Sequence, residues 1–143
     1  MKKPTIFIVS IVIIVLAIYY FGGDKEQVSE IKIGGAFGLS GIAADWGEVE
    51  RNGMILAIEE ANSKGDNIEF VVEDTKSTNK DTVAAVSKLI NVDGVDILVG
   101  PTWSDSYGGA SPFADQNSMI FVAPSASIAA MKRDVDSENL FST

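Results

Sequence analysis

Short apolar runs alternate along the chain with longer stretches in which apolar residues recur at helical spacing. The runs predict five strands, at about residues 31–37, 68–72, 96–100, 119–122 and 139–143. The longer stretches predict helices that end near residues 63, 93, 116 and 132. Regular alternation of strand and helix is typical of an α/β fold with a parallel sheet. Because crossovers between parallel strands are right-handed, we expect a doubly wound sheet with strand order 2-1-3-4-5.

The first predicted helix carries two features that can be checked against the structure. Asp45, followed three positions later by Glu48, matches a capping box and predicts a helix start near Trp46. Gly53 lies inside the helix and costs about 1 kcal/mol relative to alanine, which a close approach of helix to sheet would explain. The apolar residues that recur at helical spacing are Val49, Met54, Leu56, Ala57, Ile58 and Ala61.

Three loops at the carboxyl edge of the predicted sheet carry the candidate binding residues. In the order 2-1-3-4-5 the switch point lies between strands one and three, and the loops after strands one, three and four meet there. These loops span about residues 39–46, 101–104 and 124–127 and are rich in small hydroxyl side chains. Ser104 stands where a helix N-cap would follow the third strand. Free backbone N–H groups at a helix start suit an anionic group of a small ligand.

The first 23 residues have the pattern of a membrane-seeking segment. Two lysines precede an apolar run over residues 6–21. An uncleaved anchor and a removed signal both fit, because the run is longer than a signal's apolar core and slightly short for a spanning helix. Phe21 fits badly at the −3 position of a cut after Gly23, which favours the anchor. We expect residues 1–23 to be a signal or anchor, residues 24–30 a linker, and the remainder an exported domain.

The amino-acid composition argues against several classes of function. The 143 residues include 20 acidic and 11 basic side chains, a formal net charge of −9, which argues against nucleic acid as a partner. The chain has no cysteine and no histidine, so it lacks a thiolate nucleophile or ligand and the commonest general base. It contains no nucleotide-binding glycine pattern and no nucleophile elbow. We therefore predict a binding protein rather than an enzyme, with no metal and no cofactor.

Four motifs give the exported segment a likeness to a known family. They are Ile-Lys-Ile-Gly at residues 31–34 with Leu-Ser-Gly at 39–41 and Trp-Gly at 46–47; Asn-Gly at 52–53 with Ala-Ile-Glu-Glu-Ala-Asn at 57–62; Gly-Pro-Thr-Trp-Ser at 100–104; and Ala-Pro-Ser-Ala-Ser at 123–127. In this order and spacing they resemble the first lobe of a type I periplasmic binding protein, of the Leu/Ile/Val-binding family that serves ABC importers. The resemblance covers residues 31–143 and implies the fold of that lobe.

The resemblance also implies roles for five residues at the carboxyl edge. In the family the ligand's carboxylate meets a serine hydroxyl and backbone amides after the third strand, and Ser104 matches that serine. The ligand's ammonium meets a backbone carbonyl and a hydroxyl after the fourth strand, which correspond to Ser125 and Ser127, and an acidic side chain of the second lobe. Trp46 matches the aromatic residue beside the ligand. Trp103 departs from the smaller residue expected before the serine, so it either narrows the pocket or reaches toward the other lobe.

Each of these positions also has an ordinary structural explanation that the sequence leaves open. Ser104 could simply cap its helix, Ser125 and Ser127 could be cap and turn serines, and Trp46 could staple the helix start. Asp74, at the end of the second strand, is expected to be solvated or to cap the following turn. Whether a site exists therefore depends on how the three loops come together.

The resemblance further implies a second lobe, and family members bury the ligand when the two lobes close. The chain ends at the fifth strand of the first lobe, so we expect it to be truncated. The leading hypothesis is an extracytoplasmic solute-binding protein of an ABC importer that captures an amino acid of branched-chain type or a similar small polar ligand. Its partners would be the importer's membrane subunits and, through residues 1–23, the membrane of the cell surface or periplasm. The alternatives are the ligand-sensing ectodomain of a membrane receptor on the same fold and an α/β enzyme.

Overall fold

A parallel sheet organises the fold in the computed structural model, which describes residues 30–102, 107–125, 129 and 138–143. Within these residues the strands are β1 (Ile31–Phe37), β2 (Ile68–Asp74), β3 (Ile97–Val99), β4 (Ile120–Ala123) and β5 (Leu140–Ser142). The helices are α1 (Ala44–Ser63), α2 (Asn79–Lys88) and α3 (Tyr107–Gln116), and α2 continues into a π-helical turn over Leu89–Asp93. The strands pair in the order β2-β1-β3-β4-β5, and every pair is parallel. The predicted doubly wound α/β sheet is confirmed.

The switch point lies where the sequence predicts it, with β1 between β2 and β3. β1 pairs with β2 along its whole length, from Ile31 opposite Ile68 to Phe37 opposite Asp74. On its other side, residues 33–35 of β1 pair with residues 97–99 of β3. Because β1 and β3 are parallel neighbours, the loops that follow them leave the sheet side by side at its carboxyl edge.

The main hydrophobic core joins the sheet to α2, α3 and the turns that follow the two helices. Leu98 of β3 and Phe121 of β4 are almost completely buried in it, and the Tyr107 ring lies 6.3 Å from the Phe121 ring, centroid to centroid. Its other buried members are Ala36, Val86, Leu89, Val95, Ala110, Ala114, Met119, Ala123 and Leu140. Strands buried by helices on a parallel sheet are expected to be continuously apolar, which agrees with the short runs of the sequence.

The start of α1 differs from the sequence prediction. The helix begins at Ala44 with Ala43 at the N-cap and no side-chain capping hydrogen bond, so the predicted capping box of Asp45 and Glu48 is wrong. The Ala43 N–H donates instead to the Ser77 hydroxyl oxygen, 3.1 Å away in the turn after β2. A partner distant in sequence therefore replaces the local cap, which is why the local pattern misplaced the helix start.

Two glycines of α1 have opposite surroundings. A Cβ atom added to Gly47 would lie 2.6 Å from the carbonyl carbon of Gly38 and closer still to its oxygen, so the helix touches the loop after β1 at backbone distance. A Cβ atom added to Gly53 would meet nothing within 4 Å. A close approach therefore does not explain Gly53, and Gly47 is the glycine that makes one.

Much of the predicted apolar stripe of α1 faces solvent. Val49 is 71% exposed and Leu56 66% exposed, while Ile58 is buried against the fold. The prediction rested on the spacing of apolar residues, which does not say which side of the helix is buried. The buried side includes Gly47, which has no side chain and therefore gave no apolar signal.

The structure does not test the prediction for the N-terminal segment or that for the helix before residue 132. The proposed signal or anchor at residues 1–23 and nearly all of the 24–30 linker lie outside the described residues. None of the helices in the described ranges combines the length and apolar character that a membrane span requires. Most of the short helix predicted before residue 132 also lies outside the described residues.

Candidate functional site

A chain of hydrogen bonds joins the three loops at the carboxyl edge of the sheet. The N–H of Gly38, after β1, donates to the Thr102 hydroxyl oxygen, after β3, at 3.0 Å. The Thr102 hydroxyl in turn donates to Oε2 of Glu50, on α1, at 2.6 Å. The Ser125 hydroxyl, directly after β4, donates to Oε1 of the same carboxylate. A single carboxylate of α1 therefore ties together the loops after β3 and β4.

The Glu50 carboxylate lies half-buried in this edge without a cationic neighbour in the described chain. None of the ion pairs formed among the described residues includes it. The adjacent Arg51 guanidinium turns to the Asn52 side-chain oxygen, 3.3 Å from its terminal nitrogen. The hydroxyl groups of Thr102 and Ser125 stabilise the charge on Glu50, but they do not neutralise it.

Tyr107, at the start of α3, fixes the backbone of the loop after β3. Its side chain is 0% exposed, and its hydroxyl donates to the Pro101 carbonyl oxygen at 2.5 Å. Burial, and then the nearby charge of Glu50, raise the pKa of Tyr107 well above its ordinary value. The phenol therefore stays protonated at any physiological pH and remains a donor to Pro101, next to Thr102.

Asp74, at the end of β2, organises the loop after β1. Its Oδ1 accepts hydrogen bonds from the N–H groups of Leu39 at 2.9 Å, Ser40 at 3.2 Å and Lys76 at 2.7 Å. Its Oδ2 accepts from the Ser40 hydroxyl at 2.6 Å. Burial raises the pKa of Asp74, but the hydrogen bonds from Ser40, Lys76 and Leu39 together hold it below its ordinary value.

The expected role of Asp74 is therefore only partly right. Its bond to the Lys76 N–H does cap the following turn, as predicted. Its three bonds to Leu39 and Ser40 hold the loop that leads into α1, which the prediction of a solvated carboxylate did not include. Ser77 supports the same loop, because its hydroxyl donates to the Ser40 carbonyl oxygen at 2.7 Å.

The structure describes two of the five residues that the sequence nominated for ligand binding. Trp46 lies on the first turn of α1 and is 57% exposed. Ser125 follows β4, where its hydroxyl is bonded to Glu50. Trp103, Ser104 and Ser127 lie outside the described residues, so the roles expected for them remain predictions.

The sequence reasoning missed Glu50 and Thr102. Thr102 lies inside a loop that was singled out, between Pro101 and the nominated residues Trp103 and Ser104. Glu50 follows Trp46 by four positions, which places it on the same face of α1 one turn further from the loop. That spacing was the available signal, because a residue four positions after a nominated pocket residue on a helix also faces the pocket side.

Acidic side chains in the described part of the chain do not gather around a possible metal ion, and the lysines of a cavity beside α2 are already paired. Residues 30–102, 107–125 and 138–143 contain no group of three or more acidic side chains placed to hold a metal ion. A cavity of about 300 Å³ lies beside α2, away from the Thr102 and Ser125 loops, and its lysines are already paired with Asp81, Glu73 and Asp93.

Comparison with known proteins identifies the family. The periplasmic binding protein family matches residues 30–143. The leucine-, isoleucine-, valine-, threonine- and alanine-binding protein of Pseudomonas aeruginosa is 31% identical over 115 residues, which cover 78% of this chain and 31% of that protein. The leucine-specific-binding protein of Salmonella typhimurium is 31% identical over 104 residues, which cover 70% of this chain and 28% of that protein. The chain belongs to the periplasmic binding protein family.

Solved structures agree with this assignment. The branched-chain amino acid transporter substrate-binding protein LivJ from Streptococcus pneumoniae, in complex with isoleucine, superposes with a TM-score of 0.71 at 30% identity, covering 80% of this chain and 33% of that one. A solute-binding protein from R. palustris, in complex with benzoate, gives 0.71 at 25% identity, covering 80% and 32%. The chain spans about a third of the length of these relatives. The resemblance to the first lobe of a type I periplasmic binding protein is confirmed.

Proposed function

We propose that this chain forms the first lobe of an extracytoplasmic solute-binding protein that captures an amino acid of branched-chain type for an ABC importer. The observation that carries the proposal is the meeting of the loops after β1, β3 and β4 through Gly38, Thr102, Glu50 and Ser125. In doubly wound sheets, small ligands bind at the carboxyl edge beside the switch point, where these loops lie. The names of the curated relatives, and the isoleucine bound to the S. pneumoniae protein, support an amino acid as the ligand.

The proposed contacts follow the resemblance position by position. Ser104, together with free N–H groups at the start of the following helix, receives the carboxylate of the ligand. The Ser125 carbonyl and the Ser127 hydroxyl receive its ammonium. Trp46 and Trp103 line the apolar part of the pocket. The exposure of Trp46, on the first turn of α1 and one turn before Glu50, supports this role, because its ring remains accessible to a ligand.

The same proposal defines the partners and the location of the full-length protein. A second lobe closes over the ligand and supplies the remaining contacts, as in two-lobed binding proteins. Residues 1–23 direct export and hold the protein at the membrane, where the importer's membrane subunits receive the ligand. The protein has no catalytic role: release, not chemistry, follows binding.

A thermal-shift screen of the full-length protein tests the ligand class. Leucine, isoleucine and valine are compared with benzoate, the ligand bound to the R. palustris protein. A ligand present at a hundred times its dissociation constant adds about 2.7 kcal/mol of stability, which appears as a raised melting temperature. We expect the branched-chain amino acids to raise it. A shift with benzoate and none with any amino acid would contradict the proposal.

A further inference from the structure

The carboxylate of Glu50 stands out among the described acidic groups because side-chain hydroxyls of two different loops fix it in place and no ion pair of the described residues includes it. Its two oxygens accept hydroxyl hydrogen bonds from Thr102 and Ser125, which lie on different loops. Thr102 is buried and is itself held by the Gly38 N–H. The other described acidic groups that accept hydrogen bonds either pair with lysines, as Glu73 and Asp81 do, or bind backbone N–H groups, as Asp74 and Asp96 do. Glu50 does neither.

The position of Glu50 beside Ser125 gives a carboxylate that forms no ion pair among the described residues a consequence for binding. The proposed function, on which this inference rests, places the cationic group of the ligand against the Ser125 carbonyl. The hydroxyl of the same residue is bonded to Glu50, so a cation held at the Ser125 carbonyl would be one residue's length from a carboxylate. The carboxylate is half-buried, and charge interactions are stronger there than in open solvent.

We propose that Glu50 is a specificity-determining residue of this edge, whose fixed negative charge selects ligands carrying an ammonium group over otherwise identical ligands that lack one. Glu50 also acts as a positioning residue, because its bond to the Ser125 hydroxyl holds the loop that presents the Ser125 carbonyl. Selection of the ligand depends on the charge of Glu50, whereas positioning of the loop depends on its hydrogen bonds. A substitution that removes the charge and keeps hydrogen-bonding groups therefore separates the two roles.

The test compares leucine with 4-methylpentanoate, which is leucine without its ammonium group, on the full-length protein by titration calorimetry. Glu50→Gln removes the charge and keeps the shape of the side chain: its amide oxygen can accept from one of the two hydroxyls, and its NH2 group can donate to the oxygen of the other, so both contacts persist with one of them reversed. Glu48→Gln is the matched control, because Glu48 lies on the same helix with its side chain exposed. Glu50→Asp keeps the charge and serves as the second variant.

We expect Glu50→Gln to weaken leucine binding roughly tenfold, the effect of losing one charge-assisted contact, and to leave 4-methylpentanoate binding unchanged. Glu48→Gln should change neither, and Glu50→Asp should retain part of the leucine preference. An equal loss for both ligands in Glu50→Gln, or no loss for leucine, would overturn the role of Glu50 and leave the proposed function intact. Failure of the wild-type protein to bind leucine would instead overturn the proposed function, and this inference with it.

Discussion

Replacing Gly47 by alanine should separate α1 from the loop after β1. The new Cβ atom would lie 2.6 Å from the Gly38 carbonyl carbon and 3.0 Å from the Gly38 nitrogen, and all of these neighbours are backbone atoms. Because carbon atoms pack at about 3.5 Å or more, helix and loop must move apart by roughly 1 Å. Gly38 is also the residue whose N–H holds Thr102, so the displacement reaches the candidate site.

Gly53 provides a matched control on the same helix, because a Cβ there meets nothing within 4 Å. Both substitutions gain about 1 kcal/mol from the better helix propensity of alanine. The difference between the two variants therefore isolates the cost of the clash, which for overpacking is about 1–3 kcal/mol. Gly53→Ala should be more stable than the wild type, and Gly47→Ala less stable than Gly53→Ala by that amount.

Urea unfolding of the full-length protein and both variants, followed by far-UV circular dichroism, measures this difference. The comparison holds as long as the slope of the unfolding free energy against urea is the same in all three proteins. If Gly47→Ala proves as stable as Gly53→Ala, the contact between α1 and the Gly38 backbone does not exist, and the geometry that we assign to the loop after β1 is wrong.

Three further substitutions test separate parts of the structure. Asp74→Asn should lower stability at pH 7 by about 1 kcal/mol. Because the pKa of Asp74 is depressed in the fold, the wild-type advantage should be full at neutral pH and shrink as acid carries the pH below the ordinary carboxyl pKa and then through the lowered one; an advantage that does not change with pH would count against the loop anchor. Tyr107→Phe leaves the Pro101 carbonyl without its donor and should cost about 1–2 kcal/mol in thermal unfolding, so an unchanged melting temperature would argue against that bond. Gly94 has a backbone φ of 68° and open space around it, so Gly94→Ala should lower stability by about 1 kcal/mol through backbone strain alone. Gly94→Asn should recover most of that loss, and equal losses in the two variants would show that backbone strain is not the cause.

The sequence predicts the order of elements well because that order depends on patterns that the chain carries locally. The run at β3 is apolar, as expected of a central strand in a parallel sheet covered by helices, and parallel strands require long crossovers between them. Gly94, whose backbone adopts the left-handed conformation, ends the second helical segment where the sequence predicts it. From these patterns and the handedness of crossovers, the strand order 2-1-3-4-5 follows without knowledge of any tertiary contact.

The details that sequence reasoning missed all depend on contacts between distant segments. The helix start at Ala44 is held by Ser77, which lies in the turn after the next strand. Glu50 became part of the site because Thr102 and Ser125 reach it from two other loops. The spacing from Trp46 could place Glu50 on one face of α1, but its two hydroxyl partners on other loops become apparent only in the folded arrangement.

Titration calorimetry of leucine into the full-length protein and its Ser104→Ala variant tests the central claim most directly. If the carboxyl edge beside the switch point is the ligand site, the wild type binds leucine and Ser104→Ala loses at least about tenfold in affinity, the value of one charge-assisted hydrogen bond. Ser63→Ala, at the far end of α1, should bind as the wild type does. No leucine binding by the wild type, or equal affinity in Ser104→Ala, would contradict the account.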